Sequence, residues 1–142
     1  MLRIGAVSYL NTKPLIYSLR KRLGDLGSLS LDGPSRLAND LRSGRLDVAL
    51  VPSIEYFQER AYKLVSNAVI ACRGPVWSVR LLSRGPVPEI TRLGLDEGSL
   101  TSSILTRVLL SEMHGLSPET VALKIDQSPE SVDADAVLLI GD

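Results

Sequence analysis

The sequence predicts an α/β protein in two lobes, and three features of its 142 residues carry that expectation. Short apolar segments alternate with segments patterned for helices, the order that builds a sheet flanked by helices. Asp47-Val48-Ala49-Leu50-Val51 is almost continuously apolar, as expected of a parallel strand covered on both faces. Gly85-Pro86-Val87-Pro88 interrupts the alternation as an extended linker, because each proline drives its predecessor toward β or polyproline geometry. A boundary there divides a first lobe, residues 1–85, from a second, residues 86–142.

Arg3 to Val7 reads as a short buried strand. The polar loop Ser8 to Lys13 follows, and Pro14, with its fixed φ and missing N–H, suits the first turn of a helix. That helix is expected to reach Leu23, with Leu15, Ile16, Leu19 and Leu23 on one face and Arg20, Lys21 and Arg22 mostly in water. Gly24 ends it. Next come a strand at Ser28 to Leu31, the turn Asp32-Gly33-Pro34, a helix carrying Leu37, Ala38 and Leu41 closed by Ser43-Gly44, and the Asp47 to Val51 strand. Pro52-Ser53 ends that strand, and Ile54 to Arg60 reads as a helix. Tyr62 to Cys72 and Val76 to Ser83 are β-rich and joined by the turn Arg73-Gly74-Pro75. Beyond the linker the pattern gives a strand at Arg92 to Leu95, a loop at Asp96 to Leu100, and a helix from Thr101 to His114 stopped by Gly115. Two more strands are expected at Val121 to Ile125 and Ala136 to Ile140.

Composition narrows the chemistry. With 44% hydrophobic residues and 16 Lys+Arg against 16 Asp+Glu, the chain has the make-up of a soluble globular protein. Zero net charge and 4% aromatic residues argue against a nucleic-acid partner. The apolar run from Ile4 to Val7 is broken by Ser8, Tyr9 and Asn11, well short of the roughly 7–15 residues of a secretory signal. Nor does any stretch approach the roughly 18 apolar residues of a membrane span, so no membrane partner and a cytoplasmic location are expected. The charge is uneven: residues 1–90 hold 13 Lys/Arg and 7 Asp/Glu, net +6, and residues 91–142 hold 3 and 9, net −6. A basic first lobe would attract an anionic ligand, although a solvated surface gives the same asymmetry.

Cys72 and His114 are single, so neither an internal disulfide nor a Cys/His metal cluster is available, and no metal is expected. Cys72 lies among Val69, Ile70 and Ala71, which favours core packing over a reactive thiolate. His114 precedes Gly115 and reads as a helix-end residue offsetting the dipole, which leaves a Ser-His-Asp triad without its base. Gly98-Ser99 lacks both the GxGxxG spacing and a P-loop lysine. What remains is a recurring placement of polar residues between a strand's carboxyl end and a helix start: Ser8 to Thr12, Pro52-Ser53, and Ser99 to Ser103. Unpaired N–H groups at helix starts suit carboxylates, although Ser and Thr also cap ordinary helices.

The run Arg3-Ile4-Gly5-Ala6-Val7-Ser8-Tyr9-Leu10-Asn11-Thr12-Lys13-Pro14-Leu15 resembles the opening motif of the chorismate dehydratases of menaquinone biosynthesis, enzymes of the futalosine route. Four further stretches match in order: Gly44 to Tyr56, Gly74 to Val79, Leu95-Asp96 through Ser99, Thr101, Ser102, Leu105 and Arg107, and Ala134 to Asp142. The resemblance implies a type II periplasmic-binding-protein-like fold, two lobes with a cleft between them, incomplete at its C-terminus. It implies loss of water from chorismate, giving 3-[(1-carboxyvinyl)oxy]benzoate, with no cofactor and no metal. Chorismate carries two carboxylates, in keeping with several helix starts in a basic first lobe.

Carried over by motif, Asn11 is the candidate catalytic group, because an amide both donates and accepts hydrogen bonds at the leaving hydroxyl. Ser8, Thr12, Ser53, Ser78, Ser99, Thr101 and Ser102 are the candidate substrate-binding residues, with Thr101 and Ser102 matching a Thr-Ser pair at a helix start. Leu100 departs from the family pattern, where an arginine is expected. A non-catalytic carboxylate-binding or sensor domain uses the same fold, and the sister naphthoate-forming enzyme shares it too. The Tyr9-Leu10-Asn11-Thr12 opening favours the dehydratase. Because Val137 to Ile140 reads as a buried central strand near the end of the chain, self-association or a complementing C-terminal half is expected, with little dehydratase activity from this chain alone.

Overall fold

A computed structural model describes residues 1–98, 100–124 and 127–140. Its order of elements is β1 (Leu2–Val7), α1 (Lys13–Ile16), α2 (Leu19–Leu23), β2 (Gly27–Asp32), α3 (Pro34–Arg42), β3 (Val48–Ala49), α4 (Ser53–Gln58), β4 (Val79–Ser83), β5 (Arg92–Asp96), α5 (Leu100–His114), β6 (Glu119–Leu123) and β7 (Ala136–Ile140). Strand and helix alternate, so the α/β expectation holds.

The chain divides into two compact units, Met1–Cys72 and Arg73–Asp142. In the first, β2-β1-β3 form a parallel sheet with Val7 opposite Asp32 and Gly5 opposite Ala49. α3 packs on it through Leu37, which shares a buried cluster with Val7 and Leu46. Gly5 is needed at that contact: a Cβ there would lie 2.5 Å from Leu46 Cδ1 and 2.7 Å from Leu37 Cδ2. In the second unit the sheet order is β4-β7-β5-β6, parallel except that β4 runs against β7. One buried cluster holds Ile90, Leu93, Leu110 of α5, and Ala136, and another holds Leu123, Val132, Ala134 and Val137.

Several expectations are corrected. The division falls at Cys72/Arg73 rather than at the Gly85–Pro88 stretch, because Val79–Ser83 pairs with Ala136–Ile140 and so belongs to the second sheet. Val87–Glu89 forms a 3-10 turn instead of an extended linker. The first helix is broken between Ile16 and Leu19. β3 is two residues long. Residues 62–72 join no sheet despite their β-rich composition, and Cys72 is exposed rather than packed in a core. Leu64, Val65 and Val69 in that segment are exposed as well. The α5 boundary is as expected: Gly115 adopts φ +67°, the left-handed conformation that stops a helix at little cost.

Candidate functional site

In the first unit three parallel strands end at one edge, the edge at which open α/β sheets collect ligands. The Ser8 N–H donates to the Asp32 carbonyl at 3.1 Å, tying the loop after β1 to the end of β2. The Leu50 N–H donates to the Gly5 carbonyl at 2.9 Å, which carries the chain after β3 beside β1 toward Pro52-Ser53. Ser8, Asn11 and Ser53 are thereby brought to one edge, and all three are exposed. Asn11 sits in the 3-10 turn Leu10–Thr12, closed by the Thr12 N–H donating to the Tyr9 carbonyl at 3.1 Å. Thr12 differs from its neighbours. It is 0% exposed and its Oγ1 has no hydrogen-bond partner, so it lies beneath the edge rather than on it.

The second unit has its own polar carboxyl edge. Leu95 is opposite Leu138, so β5 and β7 end together, and the loop after β5 leads into α5 with Thr101 and Ser102 half-buried in its first turn. Asp96 accepts the Gly98 N–H at 2.7 Å, which tightens that loop. Val79 is opposite Ile140 in the antiparallel pair, and this places Ser78 at the carboxyl end of β7. Ser78 therefore shares an edge with Thr101 and Ser102, two strand spacings from β5, or about 10 Å. Ser99 lies outside the described residues.

Both amino edges are structural. Asp47 accepts from the Arg3 backbone N–H at 2.7 Å and from its guanidinium at 3.0 and 2.6 Å, and these bonds hold its carboxyl down at about 2. Asp135 is also lowered, by the Thr91 hydroxyl and then by the Thr91 and Arg92 N–H groups. A recess of about 230 Å³ beside Arg84, Pro86, Glu89 and Asp135 opens at this edge of the second sheet. Arg84 is already committed to the carbonyls of Ala134 and Glu130 at 3.1 Å each, and Asp135 to Thr91 and Arg92.

Sequence reasoning passed over Glu55. It is 2% exposed in the first turn of α4 and accepts from Arg42 Nη2 at 2.7 Å. An acid in a first helical turn ordinarily reads as a solvated partner of the dipole, so only its setting between Ile54 and Tyr56 hinted at burial. Among the described residues no three His, Cys, Asp or Glu side chains are grouped to hold a metal ion, and no helix is long and apolar enough to cross a membrane.

The model of a family described as menaquinone biosynthesis matches residues 2–142. A chorismate dehydratase of Thermus thermophilus is 33% identical over 142 residues, covering 98% of this chain and 50% of its own length. The chain thus spans about half the length of this curated relative. A match over nearly every described element, with polar residues of the opening motif on one sheet edge, settles the affiliation: the chain belongs to the menaquinone biosynthesis family.

Proposed function

We propose that the chain carries chorismate dehydratase chemistry, a lyase step of the futalosine route that removes water from chorismate to leave 3-[(1-carboxyvinyl)oxy]benzoate. The observation that supports this reading best is the gathering of Ser8, exposed Asn11 and Ser53 at one carboxyl edge, inside a chain similar throughout to a chorismate dehydratase. In this reaction a ring proton and the hydroxyl leave, and the gain of aromaticity drives the step. The protein has to orient a dianion and stabilise charge at the departing oxygen. The Asn11 amide donates to that oxygen or accepts the ring proton's hydrogen bond. Ser8, Ser53, Ser78, Thr101 and Ser102 offer hydroxyl or N–H donors to carboxylates, and Thr12 supports the Asn11 turn from below. A cleft of the type II periplasmic-binding-protein kind, in a cytoplasmic protein, belongs to the same reading.

The test is to titrate the purified chain with chorismate by calorimetry and to follow the mixture by absorbance and mass for an aromatic product lighter by one water. Binding with product formation is expected. Binding without any product favours a carboxylate-binding module. Absence of both would sink the proposal.

A further inference from the structure

α4 is six residues long, too short to persist through its own hydrogen bonds, and Pro52 at its start gives it no side-chain cap. It therefore depends on what it is anchored to. Tyr56 and Phe57 are exposed, and Glu55 is the one fully buried side chain on the helix. A carboxylate that buried persists only where a cation and hydrogen bonds replace its water. Arg42, the last residue of α3, provides this with Nη2 at 2.7 Å, while half of its own side chain remains in solvent. The pair links two helix ends of favourable sign, an acid at the start of α4 and a base at the end of α3.

We infer that the Arg42–Glu55 ion pair is the positioning device of the first unit's carboxyl edge: it ties α4, and with it Ser53, to α3. α3 is the reference body because its Leu37 is locked in the core against β1. Ser53 lies two residues before Glu55, so freedom at Glu55 becomes displacement of Ser53. The role in catalysis rests on the dehydratase reading, whereas the anchoring itself does not.

Glu55→Gln keeps the shape and removes the charge, and Arg42→Lys keeps a cation without the guanidinium fork. Backbone amide exchange is measured on both variants and on Asp47→Asn, a control that breaks an ion pair at the opposite edge. Glu55→Gln is expected to speed exchange at residues 53–58 by 10-fold or more, with α3 and the second unit unchanged, and Arg42→Lys to retain most of the parent's protection. Chorismate KM is expected to rise severalfold with kcat nearly kept. Uniform acceleration across the chain, as in a general loss of stability, or no change at α4, overturns the inference. If the parent chain neither binds nor converts chorismate, the dehydratase reading fails while the exchange pattern still decides the anchoring.

Discussion

The two units solve the same problem with unequal resources. The second builds four strands against a 15-residue helix and buries Ile90, Leu93, Leu110, Leu123, Ala136, Val137 and Leu138 with Thr106 as its only buried polar residue among those described. The first has three strands, one of two residues, and mixes into its smaller core an unpartnered Thr12 hydroxyl and the charged Glu55. Polar groups in a core are expensive, and they concentrate where a sheet edge must hold something. The lesson is that the unit with the weaker core carries the exposed amide and the ion pair, whereas the drier unit offers a helix start on a rigid support.

The largest expected effect tests that ranking of the cores. Leu93→Ala should cost about 3 kcal/mol, because Leu93 is 0% exposed between α5 and the sheet and little can collapse into its place. Leu37→Ala should cost about 2 kcal/mol, since its thinner cluster has more room to relax. Urea unfolding of both variants measures the difference, and equal losses would erase the contrast.

Next in size are the two polar edges. On the dehydratase reading Asn11→Ala should lower kcat and kcat/KM together by about 100-fold, as for a contact made chiefly in the transition state. The double change Thr101→Ala, Ser102→Ala should instead raise KM about 10-fold or more, since a lost charge-assisted contact is worth roughly 1.5–3 kcal/mol. Steady-state kinetics with chorismate distinguish the two. A KM effect at Asn11 with normal turnover would make the edges equivalent and remove the catalytic assignment.

The same contrast governs what could be read from sequence. β1, β2, β5, β7, α3 and α5 were legible because apolar spacing, Pro34 and Gly115 punctuate them. The carboxyl-edge positions of Ser8, Asn11, Ser53, Thr101 and Ser102 followed from strand-then-helix order alone. Ser78 was harder, because its edge depends on β4 running antiparallel to β7, a long-range pairing with no local signal. Residues 62–72 carried β-type composition without a partner strand, and propensity without pairing does not make a sheet. Glu55 was missed, and Thr12 was expected among the substrate-binding residues rather than buried, because polar residues are mostly exposed and the burial of these two is decided by α3 and by the packing under β1.

The smallest expected effect sets the two amino edges side by side. Asp47 is held by a charged arginine and Asp135 mainly by the neutral Thr91 hydroxyl and two backbone N–H groups. Both carboxyls sit below the ordinary value of 3.8, so each favours the folded state above that value and loses its contribution as pH falls through the folded pKa. For Asp47 the window runs from 3.8 down to about 2. Asp47 is solvent-exposed and Asp135 only half-buried, so the loss is shallow. Salt separates them: 1 M salt, with a Debye length of about 3 Å, weakens the Arg3–Asp47 attraction and leaves the short neutral bonds of Asp135 nearly intact. Amide exchange read at β1 and at β5 between pH 4 and 2 should therefore show β1 losing its pH sensitivity in high salt or in Asp47→Asn, while β5 keeps its own until Thr91→Val removes the hydroxyl. Equal salt sensitivity at the two strands would mean that charge, and not hydrogen-bond geometry, holds both edges.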